Sequence, residues 1–291
     1  MALTACGICW GATIPLSKVA LSGGHHPIGI IAWQLIISII FLGVLTVLRR
    51  VQLPIRKQTL LHFLIIAFIG TLLPNMFSLA AVAQLPAGIM AIVIASVPMF
   101  ALTIAVGLKL ETIRLARLLG ILLGLFAVVL LIGPQTSLPE PEKAIFVLVG
   151  LVAALSYGAE SNYLAIWSPP GLDPIVTLLG ASIVGALIAV PVALAGGTFI
   201  DLTIPWGAPE TALVVAALCH AIAYSGYIWL VGAAGPVFAS QVGYVVTLAG
   251  VIISALALGE SYSYWVWIAL ALMIGGLTLV RPKAAGATER V

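Results

Sequence analysis

Trp10-Gly11-Ala12, with Pro27-Ile28 after it, recurs as Tyr157-Gly158-Ala159, with Pro174-Ile175 after it, at a constant offset of 147 residues. Because most of the chain between and around these motifs is apolar, the sequence predicts one membrane-embedded unit written twice. A unit with an odd number of membrane-spanning helices must place its second copy upside down. Inverted repeats of this kind are typical of alternating-access transporters.

The composition is that of a membrane protein. Apolar residues make up 63% of the chain and charged residues 7%, whereas about 25% of the residues in soluble domains are charged. A bilayer-spanning helix needs about 20 apolar residues, so the length allows roughly ten to twelve such helices and no sizeable extramembrane domain. The lipid bilayer is therefore a predicted partner. Nucleic acid is not, because the net charge is only +3.

Apolar windows predict an all-α polytopic membrane protein with ten transmembrane helices, arranged as two inverted five-helix repeats. The repeats are predicted at residues 1–137 and 138–291, and the joint at 133–143 holds three prolines and two glutamates. The predicted helices lie near residues 2–21, 27–48, 59–80, 86–107, 114–133, 144–166, 173–195, 210–231, 236–258 and 263–281.

The basic residues predict the orientation in the membrane. Ten of the twelve Lys and Arg fall after helix 2, after helix 4 and at the C-terminal end, all on one face: Arg49, Arg50, Arg56, Lys57, Lys109, Arg114, Arg117, Arg281, Lys283 and Arg290. Because Lys and Arg accumulate in cytoplasmic loops, both termini are predicted to be cytoplasmic. The repeat continues in Pro86 and Pro236 and in Glu111 and Glu260. The two glutamates fall on opposite faces, as an inverted pair must.

Signatures of catalysis are missing from the sequence, which has no GxxxxGK[ST] phosphate loop, HExxH helix or GxSxG elbow. The three cysteines lie in apolar segments, which argues against disulfides or a zinc site. The chain is therefore predicted to be no enzyme and to hold no cofactor or metal. Secondary transport or passive permeation of a small molecule remains.

Glu160 is the one carboxylate that the sequence places deep in the membrane, about 8 Å past the middle of helix 6. It shares a helical stripe with Ser156, Tyr163 and Trp167, which indicates that it faces a polar surface. Burying it costs several kcal/mol unless it is paired, wet or protonated. It is interpreted as a cavity residue, or as an acid that reaches the interface or hydrogen-bonds inside the bundle. Lys18 is expected to extend to the outer interface.

Polar stripes on other helices predict the walls of a pathway, although such stripes also serve as glue between helices. Helix 8 carries His220, Tyr224 and Tyr227 on one face, helix 3 carries Asn75 and Ser78, and helix 9 carries Tyr244. The predicted substrate-binding residues are Trp10, Asn75, Ser78, Glu160, Tyr163, His220, Tyr224, Tyr227 and Tyr244.

Four prolines lie inside predicted helices, where each removes a backbone hydrogen bond and favours a bend. Bends serve gating or packing, and the gating interpretation applies to Pro15, Pro74, Pro98 and Pro191. Two small-xxx-small faces, Gly7 with Gly11 and Gly120 with Gly124, allow close helix packing within the chain or in a homodimer.

These residues resemble the EamA-type ten-helix members of the drug/metabolite transporter superfamily over essentially the whole chain. The likeness rests on Trp10-Gly11 with Lys18, on Pro27 and Pro98, and on the segments ending in Gly107-Leu108-Lys109-Leu110-Glu111 and Leu258-Gly259-Glu260. Within the family the chain is most similar to YddG-type exporters of aromatic and other neutral amino acids. The resemblance implies export across the bacterial inner membrane by rocking of the two repeats around a central site. Family members often carry Arg in helix 2, where this chain reads Trp33-Gln34-Leu35.

The central residues limit the substrate. Phosphorylated substrates would need deep Lys or Arg, which the central region lacks, whereas Tyr, Trp, His, Asn and one Glu suit a small amphiphile with an ammonium group. The predicted function is secondary export of aromatic and other neutral amino acids from the cytoplasm by alternating access, with proton coupling or facilitated diffusion both open. Alternatives are a multidrug or other-metabolite exporter of the same family, a non-transporting membrane scaffold, and an ion channel.

Overall fold

The computed structural model describes residues 1–134, 138–234 and 236–280, and these residues form helices and connecting loops without a strand. The described residues contain the ten predicted spans, eight of them long and apolar enough to cross a membrane and two shorter. The all-α polytopic fold is thereby confirmed. The spans are α1 (Ala2–Ser22), α2 (Pro27–Leu48), α3 (Lys57–Gln84), α4 (Ala87–Gly107), α5 (Leu115–Ile132), α6 (Ile145–Trp167), α7 (Pro174–Ala195), α8 (Ala208–Ala234), α9 (Val242–Leu258) and α10 (Tyr264–Val280).

The helix ends lie within four residues of the predicted ones except at the start of α9. There the chain forms a separate short helix, Pro236–Ala239, and the main helix begins only at Val242. The predicted boundary between the repeats lies between residues 137 and 138, and residue 137 is outside the part of the chain that the structure describes. The C-terminal cations Arg281, Lys283 and Arg290 also lie outside it.

Recurrent Pro-Ile marks equivalent helix starts in the two halves. His26 Nδ1 accepts a hydrogen bond from Ile28 N at 3.3 Å at the start of α2. Asp173 Oδ1 accepts from Ile175 N at 2.8 Å at the start of α7. In both helices the proline occupies the first turn, where its missing N–H has no partner to lose. The same capping arrangement is thus used once at each end of the bundle.

The glycines of the other repeated motif lie where a helix of one half crosses a helix of the other. Gly11 of α1 packs on α9, where a Cβ would come within 2.6 Å of Val246 O. Gly158 of α6 packs on α4, where a Cβ would come within 2.9 Å of Ala101 N. Glycine at these positions lets the helix backbones touch directly. The two copies of the glycine motif therefore lie at two equivalent helix crossings between the halves.

Two spans are interrupted next to a proline. In α3, Ala67–Leu72 forms a π-helical turn directly before Leu73 and Pro74. In α4, the helix stops at Ile94 and resumes at Val97, with Pro98 in its first turn. Pro15 and Pro191 are accommodated inside α1 and α7. The proline of α3 thus follows a π-helical turn, a form of irregularity that is frequent at functional sites, and the proline of α4 follows a break in the helix.

The buried apolar core lies along the crossings of the two halves. One cluster joins α4, α5 and α10 around Met90, Leu131 and Met273, and another joins α2 and α7 around Ile31 and Ala189. The large apolar side chains of α5 that point away from the bundle, such as Leu125, are exposed, as expected for a surface that faces lipid. The small-xxx-small faces contact the chain itself, at Val245 for Gly7, at Gly276 for Gly120 and at Met99 for Gly124. The homodimer stays a prediction.

Candidate functional site

Successive spans alternate in direction, so the bundle has two ends. We call the end that carries the start of α1 the N-terminal side and the other the opposite side. Lys18, Glu210 and Glu260 lie on the opposite side, and Glu111, Arg117 and Tyr244 lie toward the N-terminal side. Glu111 and Glu260, the equivalent glutamates, are therefore at opposite ends, as the inverted repeat requires.

An aromatic cluster at mid-depth joins α1 to α8. The ring centroid of Trp10 lies 6.1 Å from that of His220, 5.6 Å from that of Tyr224 and 5.9 Å from that of Tyr227. All four side chains are half-buried. The structure thus brings together four of the predicted binding residues, and it does so across the two repeats.

Glu160 lies buried on α6 against the π-helical turn of α3. Its carboxylate lies so close to Gly70 that a Cβ on that glycine would overlap it. No group in the described residues donates a hydrogen bond to this carboxylate. Its stripe neighbours Tyr163 and Trp167 instead contact each other toward the N-terminal side, with tilted rings whose centroids are 5.5 Å apart. Glu160 is therefore a buried acid, 9% exposed, without a hydrogen-bond donor.

The π-helical turn adds a second unpartnered acceptor beside this acid. Leu73 N donates to Phe68 O in the π-helical register. The next residue, Pro74, has no N–H, so at least one carbonyl of Ile69 and Gly70 is left without a helical amide. A carboxylate and a free carbonyl at membrane depth call for a donor, which a protonated acid, a water or a bound ammonium group can supply.

Tyr157 completes the centre, although the sequence analysis did not select it as a binding residue. Its Oη donates to Asn75 Oδ1 at 3.1 Å, which links α6 to α3. It precedes Glu160 by one helical turn and lies within electrostatic reach of it, as does Tyr224. Because Tyr157 is the repeat equivalent of Trp10, the repeat was the signal that could have identified it. The centre defined here consists of Trp10, Asn75, Tyr157, Glu160, His220, Tyr224 and Tyr227.

Three predicted binding residues, Tyr163, Ser78 and Tyr244, lie outside this centre. Tyr163 stacks on His62, with ring centroids 5.4 Å apart and its Oη 3.3 Å from His62 Nδ1. The other ring nitrogen of His62 is buried and has no partner in the described part of the chain. Ser78 is half-buried one helical turn from Asn75 on α3, toward the opposite side.

Tyr244, the last predicted binding residue, lines a cavity of about 250 Å³ that reaches toward the N-terminal side. Asn162 of α6 forms part of its wall and donates to Gly158 O and Ala101 O, each at 2.9 Å. Arg117 and Glu111 also line this cavity. Since Asn162 follows Glu160 by two residues, the cavity approaches the centre along α6. Pro98 lies on the same wall.

On the opposite side, Glu260 ties the second half of the chain to the first. Its carboxylate accepts from Ala87 N at 2.7 Å and Gly88 N at 3.1 Å, the first amides of α4, and from Tyr262 Oη at 2.6 Å. Burial and the neighbouring carboxylate of Glu260 raise the pKa of the Tyr262 phenol. Lys18 extends to this end as expected, where its ammonium group donates to Val82 O at 3.0 Å and to Leu85 O.

Comparison with known proteins agrees with this architecture. The sequence profile of the EamA-like transporter family matches residues 1–133 and again 144–281. The inner membrane transporter YedA of Escherichia coli (strain K12), named as uncharacterized, is 25% identical over 289 residues, which cover 96% of this chain and 89% of YedA. YedA of the O157:H7 strain gives the same values. A solved crystal structure superposes with a TM-score of 0.63 at 20% identity, covering 95% of this chain and 96% of that one.

Proposed function

We propose that this protein, which belongs to the EamA-like transporter family of the drug/metabolite transporter superfamily, exports aromatic and other neutral amino acids. Membership of the family confirms two predictions, that the chain is a transporter rather than an enzyme and that it is a multi-pass protein of the inner membrane. The amino-acid substrate, the likeness to YddG-type exporters and the direction of transport belong to the proposal.

The proposal rests on the carboxylate of Glu160, which has no hydrogen-bond donor among the described residues and lies near aromatic rings at mid-depth. Glu160 and the free carbonyl beside it offer acceptors only, and the ammonium group of an amino acid offers three donors. Trp10 and Tyr224 provide aromatic faces for the substrate side chain and for the cation itself. The described centre contains no Lys or Arg, which disfavours a phosphorylated substrate.

Transport in this proposal proceeds by rocking of the two halves, residues 1–137 and 138–291, around that centre. The crossings at Gly11 and Gly158 and the cluster around Trp10 join one half to the other, so relative motion of the halves changes access to the centre. Pro15, Pro74, Pro98 and Pro191 are the proposed bending points. The concentration of Lys and Arg supports a cytoplasmic N-terminal side, with both termini there.

Counterflow of labelled phenylalanine and leucine into liposomes containing the purified protein tests the proposal. Saturable uptake that unlabelled neutral amino acids compete for is the expected result, with empty liposomes as the blank. The Glu160→Ala variant should lose most of the uptake, whereas Glu142→Ala, at an exposed acid in the loop before α6, should retain it. Folded wild-type protein without uptake of any amino acid would refute the substrate class.

Export of organic cations is the second candidate, favoured by the same acid because no Lys or Arg in the described part of the chain forms an ion pair with Glu160. The two candidates differ in the need for a carboxylate on the substrate. Phenethylamine, which is phenylalanine without its carboxylate, should compete poorly under the amino-acid proposal and equally well or better under the cation alternative. A scaffold without transport would give uptake in neither case, and cysteines placed at Tyr224 and Tyr244 would then resist hydrophilic thiol reagents.

A further inference from the structure

Arg117 is a buried arginine on the wall of the cavity at the N-terminal side. It is the third residue of α5, and its side chain is only 10% exposed. Its Nη1 donates to Glu111 Oε2 at 2.8 Å, and the Glu111 side chain is 46% exposed. Both members of this ion pair line the cavity, the arginine being buried and the glutamate largely exposed.

The guanidinium group is far from satisfied by this one contact. An arginine side chain carries five N–H donors in a planar fork that suits two oxygens of one carboxylate. The described residues give it a single hydrogen bond to a single carboxylate oxygen. Its other nitrogens are open to the cavity, because among the described side chains no Arg117 nitrogen is both fully buried and unpaired. An ion pair to the largely exposed Glu111 is also weak. Such an arrangement suits an exchangeable partner.

The cavity beside Arg117 has a suitable size and polarity for a small zwitterion. Its volume is about 250 Å³, and its polar wall carries Ser161 and Asn162 of α6 together with Ser240 and Tyr244 of the neighbouring segment. Apolar residues of α4 and α10, such as Leu102 and Leu277, line the rest. Because Ser161 follows Glu160 directly, a molecule in this cavity lies next to the turn of α6 that holds the central acid.

We propose that Arg117 binds the carboxylate of the substrate in this cavity, displacing Glu111, before the ammonium group reaches Glu160. The two charged ends of an amino acid are then recognised at successive depths along α6. Glu111 acts as a competitor that occupies the arginine when substrate is absent. The inference rests on the proposed function in taking the substrate to be an amino acid, and it adds a recognition residue outside the centre.

Paired substitutions separate this role from that of a structural ion pair. Arg117→Met should raise the KM for phenylalanine counterflow by about tenfold or more, because hydrogen bonds to a charged group are lost. Inhibition of counterflow by phenethylamine should not change. Glu111→Gln should lower the KM, since the competitor is weakened. Arg114→Met, at an exposed arginine three residues earlier, should leave the KM unchanged.

Arg117→Lys keeps the charge without the planar fork and should fall between wild type and Arg117→Met. The Arg117→Lys variant also tests the inference if Arg117→Met does not fold. Two results would overturn the inference while leaving the proposed function intact: equal KM values for Arg117→Met and Arg114→Met, or a rise in KM for both Arg117→Met and Glu111→Gln. Wild-type protein that neither transports amino acids nor is thermally stabilised by them would refute the proposed function, and this inference with it.

Discussion

Substituting Gly11 by alanine should destabilise the protein by forcing α1 and α9 apart where they cross and join the two halves. A Cβ at this position would lie 2.6 Å from Val246 O and 2.9 Å from Gly250 N, both backbone atoms that cannot turn away as a side chain can. The shorter distance is about 0.8 Å below the start of ordinary contact. Overpacking of this kind costs about 1–3 kcal/mol. The better helix propensity of alanine offsets up to about 1 kcal/mol of that cost.

A net loss of about 1–2 kcal/mol corresponds to a melting temperature lower by about 2–3 °C for a chain of this size. Thermal unfolding of the purified protein in detergent measures it. Gly158→Ala should behave similarly, because its Cβ would meet Ala101 N at 2.9 Å on α4. Gly43→Ala is the matched control, since this glycine lies in a helix with nothing within 4 Å of the new atom. A Gly11→Ala protein as stable as Gly43→Ala would show that the crossing is looser than the structure has it.

The other predictions concern three acidic or phenolic groups. If Glu160 titrates during the cycle, Glu160→Gln should transport without the pH dependence of wild type; an unchanged dependence removes this acid from coupling. Glu260→Ala should cost about 1–2 kcal/mol in thermal stability, because two amides of α4 lose their acceptor; no change relative to Glu142→Ala would contradict this. Tyr262→Phe loses one hydrogen bond, about 1 kcal/mol at neutral pH. Burial raises the pKa of Tyr262 in the folded protein, so the phenol ionises first in the unfolded chain, above about pH 10, and its stabilising contribution is lost as the pH rises further. The difference in thermal stability between wild type and Tyr262→Phe should therefore become smaller above about pH 10. A difference that does not change with pH would contradict this prediction.

The sequence predicted the helices well because their signals are local. Apolar length, Pro in the first turn after His26 or Asp173, and glycine at Gly11 and Gly158 all act within one helix or its immediate cap. The clustering of Tyr224 and Tyr227 with His220 was also predictable, because residues at such offsets share one face of a helix. Trp10 joined them through the packing of α1 on α8, which no spacing along the chain determines.

Contacts between helices account for what the sequence analysis missed. Asn162 was not selected, because its value lies in donating to Ala101 O on another helix. The sequence indicates Arg117 only as one of the basic residues of the predicted cytoplasmic face, whereas in the structure it is buried against a cavity. The stripe on α6 predicts Tyr163 as a binding residue, and in the structure it pairs with His62, because the rotation of α6 against α3 decides which neighbour it meets. The π-helical turn before Pro74 likewise depends on the packing of α3.

The two equivalent glutamates have different partners in the structure. Glu260 caps the first amides of α4 across the repeats, whereas Glu111 stays within its own half and pairs with Arg117. The helix that Glu111 would cap by the same symmetry begins with the short segment Pro236–Ala239, which is separated from the rest of α9. The residues that follow the two glutamates differ, with Arg117 near Glu111 and Tyr262 near Glu260, and these residues are their side-chain partners. The cavity beside Glu111 lies at the end of the bundle where the glutamate pairs with Arg117, whereas Glu260 binds the first amides of α4 at the other end.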